Sequence, residues 1–144
     1  MMPSVVMVNL NPMGRAAVQR DMEVVRAIFA SVQARGDLRS RSVELEGHEE
    51  WIVQRHLELL LDSGFLAGTK SEPLSQPYPT VLVRDLTWQG HDFAATLSNE
   101  TVWGKMKQSL SAVELATLPL TVLKDVGTKL LVAYTTHKLG LGGA

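Results

Sequence analysis

The chain has no cysteine. Disulfides, thiolate catalysis and cysteine-ligated zinc are therefore excluded, and a cytoplasmic setting is expected. Charge of one sign is also missing: 14 basic against 15 acidic side chains leave a formal net charge of -1. A domain-wide basic footprint for nucleic acid is thus excluded, and any such footprint must be local. Long apolar runs are absent as well. Val5-Val6-Met7-Val8 is broken by Asn9, Asn11 and Pro12 and has no basic flank before it. The region from Leu110 to Tyr134 is interrupted by Glu114, Pro119, Lys124, Asp125 and Lys129. Neither reads as a signal peptide or a membrane span, which needs about 20 mostly apolar residues.

Chemistry-bearing constellations are equally scarce. His48, His56, His91 and His137 include no pair spaced to put two imidazoles together on a helix. No metal site or cofactor is expected. No phosphate-cradling glycine loop, nucleophile elbow or supported carboxylate pair occurs, so an enzyme is not expected either.

What is present is an ordinary globular composition, 45% hydrophobic and 20% charged over 144 residues, enough for one domain with its own core. Residues 1–18, with two prolines and no sustained period, read as a poorly ordered leader. Met22, Val25, Phe29 and Val32 recur at steps of three and four and predict a helix over Arg20–Arg35. Asp21 and Glu23 fall in its first turn, and Gly36 stands as its stop. Ser42-Val43-Glu44-Leu45 alternates as a short strand.

A second helix is expected from His48 to Ser63. Val53, Leu57, Leu60 and Leu61 share its apolar face. Gly64 is the expected left-handed residue closing it. Phe65–Thr69 and Val81–Arg84 then read as two strands joined by a loop with Pro73, Pro77 and Pro79. Thr87 is a plausible N-cap for a following helix. Trp88 and Trp103 read as core residues at helical spacing. Pro119 should break the tail, Ser111–Leu139, into two helical pieces, and residues 140–144 should fray.

The string Gln54-Arg55-His56-Leu57-Glu58-Leu59-Leu60-Leu61-Asp62-Ser63-Gly64-Phe65-Leu66 resembles the recognition helix and first wing strand of winged helix-turn-helix proteins. The resemblance implies a mainly α fold with a small β-hairpin: a winged helix over 19–98 and a helical C-terminal extension over 99–139. More specifically, Arg20-Asp21-Met22-Glu23, Leu45-Glu46-Gly47 and Leu86-Thr87-Trp88-Gln89-Gly90-His91-Asp92-Phe93, with Trp103 soon after, are similar to a bacterial and prophage domain family of unknown function. That likeness covers about residues 20–110 and leaves residues 1–17 as extra. In a common winged helix a full helix precedes the recognition helix. Only His48-Glu49-Glu50-Trp51 is available for it here, so that element must be short or fused to the next. His56 stands where the resemblance implies a structural ring packed beside the apolar face.

Two functions follow as expectations. The first is double-stranded DNA binding in transcriptional regulation, as a dimer. Gln54 and Arg55 would read the major groove, with Arg39, Arg41, Lys70 and Arg84 on phosphates. The second is a protein-interaction module that has lost DNA affinity. From His48 to Ser63 one Arg faces Glu49, Glu50, Glu58 and Asp62, a balance of -3 that repels phosphate. Ile52, His56, Leu59 and Ser63 form a second stripe away from the core face. Ile52 and Leu59, with Trp51 nearby, are candidate interface residues. They would be covered by the chain's own tail or by a second subunit in a homodimer.

Overall fold

The computed structural model describes residues 19–140. The leader expected over 1–18 and the tail over 141–144 lie outside the described residues. The protein is mainly helical with one two-stranded antiparallel hairpin. The elements run α1 (Met22–Gln33), α2 (Glu50–Asp62), β1 (Leu66–Ser71), β2 (Thr80–Leu86), α3 (Trp88–Ser98), α4 (Glu100–Ser109), α5 (Ala112–Thr117) and α6 (Leu120–Lys138).

α1 buries Met22, Val25, Phe29 and Val32, as their spacing predicts, together with Val24 and Ile28. Asp21 is the N-cap itself, and its carboxylate accepts from the Glu23 N–H. The helix ends on Ala34 in right-handed geometry, so the left-handed stop expected at Gly36 is not used. α2 does end as expected. Gly64 has φ +82°, the Phe65 N–H reaches the Leu60 carbonyl at 2.9 Å and the Gly64 N–H reaches Leu61. That paired closure is the Schellman motif, with Phe65 buried beyond it.

Between α1 and α2 there is no further helix among the described residues. Glu50 and Trp51 form the first turn of α2, so the short element expected from His48 to Trp51 is fused to the helix that follows. The strand expected over Ser42–Leu45 is also not formed. It is reduced to one antiparallel bridge, Arg41 with Val83. Arg35 helps hold this truncated third strand, because its guanidinium donates to the carbonyls of Val83, Arg41 and Ser42. Burial and the neighbouring Arg41 lower its pKa from the ordinary guanidinium value.

The hairpin carries a bulge. Ala67 pairs with Asp85 and Gly68 with Val83, which leaves Arg84 without a cross-strand partner. Gly68 is required there, since a Cβ would strike the Leu82 carbonyl. After the hairpin comes a tight corner made by Leu86-Thr87-Trp88-Gln89-Gly90. Thr87 caps α3 by accepting from the Gly90 N–H at 3.0 Å and donates its hydroxyl to the Gly64 carbonyl at 2.6 Å. Gly90 is buried against the backbone of Phe65, whose carbonyl a Cβ would overlap. The corner therefore locks the start of α3 onto the end of α2, and this is a packing role.

Trp88 corrects an expectation. It is 84% exposed rather than core. At about 100° per residue it stands roughly 140–180° from Phe93 and Leu97, on the opposite side of α3. Trp103 is core as expected, 3% exposed, with its indole N–H on Glu23 at 3.0 Å. Asn99 separates α3 from α4 in extended geometry and caps α4 through Val102. Pro119 separates α5 from α6. Val102, Trp103, Met106, Leu120 and Leu123 join Phe29, Phe65 and Phe93 in one continuous core, so the helices after residue 99 share the core of those before it.

Candidate nucleic-acid interface

α2 and the hairpin are the elements that the sequence resemblance would present to DNA, so their polar groups decide what the surface can do. Gln54 was expected to reach the major groove. The structure places it inside, 1% exposed, with Oε1 accepting the Val81 N–H at 2.8 Å. The cause lies in the truncated third strand. Arg41 and Val83 exchange both backbone hydrogen bonds. A continuing strand would next offer the carbonyl of residue 43 to Val81. The chain turns away instead, and the Gln54 carboxamide supplies the missing acceptor. Gln54 is a structural residue and cannot read a base edge.

The cations expected on phosphate fare differently from one another. Arg55 is exposed but ion-paired to Glu58 on the same face of α2. Lys70, on β1, lies 3.2 Å from Glu58 and 3.3 Å from Asp62. These hydrogen bonds, Glu58 first, raise the Lys70 pKa above its ordinary value. Arg41 is paired with Asp37, whose carboxyl is held below its usual range by that contact. Of these expected phosphate contacts, Arg39 and Arg84 alone have exposed side chains with no acidic partner among the described residues. The hairpin tip, residues 72–79, carries Glu72 and no basic residue. The six candidates thus do not form a free basic surface: one is buried, three are neutralised and two remain.

His56 explains part of the second stripe on α2. It is 1% exposed. Nε2 accepts the Asp21 N–H at 2.8 Å, and Nδ1 lies 2.8 Å from the Ile52 carbonyl. A backbone N–H must donate and a carbonyl must accept, so the ring is neutral with its proton on Nδ1. Burial lowers its pKa, outweighing the opposing effects of the Ile52 hydrogen bond and of Asp21, while Arg20 and His48 lower it further. The ring therefore pins the cap of α1 to α2, the structural role the resemblance implied. Trp51, Ile52 and Leu59 are each half-buried; the Trp51 indole N–H donates to Glu49.

Sequence reasoning did not single out the surface around Trp88. Its ring lies 5.9 Å from that of His91, whose Nε2 is 3.7 Å from Asp85. Helical-wheel placement relative to Phe93 was the signal that could have found it. Among the described residues no group of three histidine or acidic side chains converges to hold a metal ion. No described helix is long and apolar enough to cross a membrane.

Comparison with known proteins agrees with the reading of an unassigned family. A protein of Haemophilus influenzae, named as uncharacterized, is 25% identical over 111 residues, covering 76% of this chain and 92% of the relative. No solved structure matches the chain. The family model described as hypothetical protein (DUF2513) matches residues 19–115, and the chain belongs to that family.

Proposed function

We propose that this protein is a protein-interaction module on a winged-helix-like scaffold, without duplex-DNA affinity. One observation carries the reading. The polar groups that α2 and the wing would need for DNA are consumed within the fold, Gln54 by Val81 and Arg55 and Lys70 by Glu58 and Asp62. Phosphate contact would have to strip these pairs and meet Glu49, Glu50 and Asp62 on the same helix, which counts against binding at any ordinary salt concentration. Exposed Trp88 supports the protein reading, because a rigid, amphipathic indole outside the core is the kind of side chain that anchors interfaces.

The DNA reading retains one specific support, the two unpaired cations Arg39 and Arg84. The test is fluorescence anisotropy of labelled duplexes, the neighbouring intergenic DNA included, at low salt. No saturable binding is expected. Binding that weakens steeply with salt and falls in an R39A/R84A variant would overturn the proposal. A homodimer is one form the module could take, and sedimentation of the wild type beside Trp51→Ala and Leu59→Asp measures it.

A further inference from the structure

α6 is seated by one face. Leu120, Leu123 and Gly127 are buried, and a Cβ on Gly127 would meet Thr96 of α3 and Met106 of α4. At about 100° per residue those three point one way, and Val122, Asp125, Lys129 and Val132 point roughly 180° from them. All four of the latter are exposed, Val122 by 40% and Val132 by 59%. They recur at steps of three, four and three, the spacing of a coiled-coil seam. Of the eight large apolar side chains exposed among the described residues, Val113, Val122, Val132 and Leu139 all lie from α5 onward, so apolar surface is left uncovered chiefly at this end of the fold.

The order along this seam is self-complementary. Val122 and Val132 stand five residues either side of Gly127, and Asp125 and Lys129 stand two either side. A second α6 laid antiparallel, with a two-fold axis at the level of Gly127, sets Val122 against the partner's Val132 and Asp125 against the partner's Lys129. Each contact then occurs twice. A parallel pairing would oppose Asp to Asp and Lys to Lys, and the same charges disfavour it. Within one chain Asp125 and Lys129 have the i, i+4 spacing of a helical ion pair. Neither is ion-paired with any described residue. Both charges are thus available to a partner.

We infer that two copies of this chain associate through α6, antiparallel and in this register. The inference rests on the interaction-module reading for the class of partner and names that partner as a second copy. The 19 residues of α6 span about 28 Å. One helix face of that length buries less than the about 1,200 Å² at which stable complexes begin, so the dimer is weak, with a dissociation constant above about 1 µM. The Val pairs hold the two ends of the seam. The Asp–Lys pairs, open to water and worth little in affinity, fix direction and register.

Sedimentation of the full chain from about 10 µM to about 1 mM reads the equilibrium, and a concentration-dependent dimer is expected. Asp125→Lys and Lys129→Asp each turn two attractive contacts into two repulsive ones, and each should weaken association about tenfold or more. Mixing those two variants, or combining both changes in one chain, returns opposite charge to every contact and should restore the dimer. Because the chain has no cysteine, Val122→Cys and Val132→Cys can be introduced singly. Under mild oxidation the two together should crosslink across the seam, and neither should do so alone. A monomer at every concentration would overturn the inference. So would a dimer that is indifferent to the charge swaps, including one lost instead in Trp51→Ala or Leu59→Asp. A monomer leaves the module reading standing; duplex binding in the anisotropy assay removes that reading and leaves the α6 dimer to be decided by the swaps.

Discussion

Replacing Gln54 with leucine separates a structural glutamine from a reading one. In the fold the Gln54 carboxamide is the acceptor for the buried Val81 N–H. Leucine keeps most of the volume and removes that acceptor. β2 cannot recruit another, because the truncated strand beside it has already turned away after Arg41. An orphaned buried N–H costs about 1–3 kcal/mol. Release of the amide from its own buried position offsets a little of this, so a net loss of about 1–2 kcal/mol is expected. For a chain of this size that lowers the melting temperature by about 3–8 °C. Urea unfolding followed by far-ultraviolet circular dichroism reads the change as a lower midpoint at unchanged slope. Hydrogen exchange gives a local check, since the Val81 amide should exchange faster than its neighbours in β2. A surface residue poised over a DNA groove would change stability by less than about 0.5 kcal/mol when replaced. An unmoved midpoint together with an unchanged Val81 exchange rate would refute the burial argument.

Three further outcomes follow from the geometry. The neutral His56 ring accepts from Asp21, and its pKa is depressed by burial. Below its ordinary value of 6.5 the unfolded chain therefore binds more protons than the folded one. Stability should be at its full value above that pH and decline as pH falls through it, and His56→Phe should flatten the decline while lowering stability at neutral pH; urea midpoints across the range read both. Gly90→Ala should destabilise severely, by about 3 kcal/mol or more, because the new Cβ overlaps the Phe65 carbonyl. Gln89→Ala beside it should be near neutral, and similar midpoints for the two would contradict the corner packing. Trp103→Ala should cost about 3–5 kcal/mol and Trp88→Ala less than about 0.5 kcal/mol. Thermal unfolding of the pair tests which indole belongs to the core, and equal losses would contradict the assignment.

Much of the fold was legible because its signals are local. The apolar faces of α1 and α2, the Gly64 closure, the Thr87 cap and the Pro119 break each depend on residues within a few positions of one another. The functional surface was less legible because its decisive contacts are not local. Lys70 meets Glu58 and Asp62 only once β1 folds back along α2. Trp88 was misread because the spacing of its apolar neighbours was followed without placing the indole itself on the wheel.

The sequence by itself determined the order of the helices and the hairpin after residue 20 and a mainly helical fold, though not the fate of the strand expected over Ser42–Leu45. Periodicity and turn chemistry act over short range, and in those elements the rest of the fold did not override them. It also determined the acidity of α2. Only the tertiary structure decided where Gln54 went. An amide is equally satisfied by water or by a buried N–H, and periodicity is silent between them. Its burial followed from a third strand that stops at Arg41 and leaves Val81 in need of an acceptor, a shortage that exists only after the hairpin, the loop and α2 have come together.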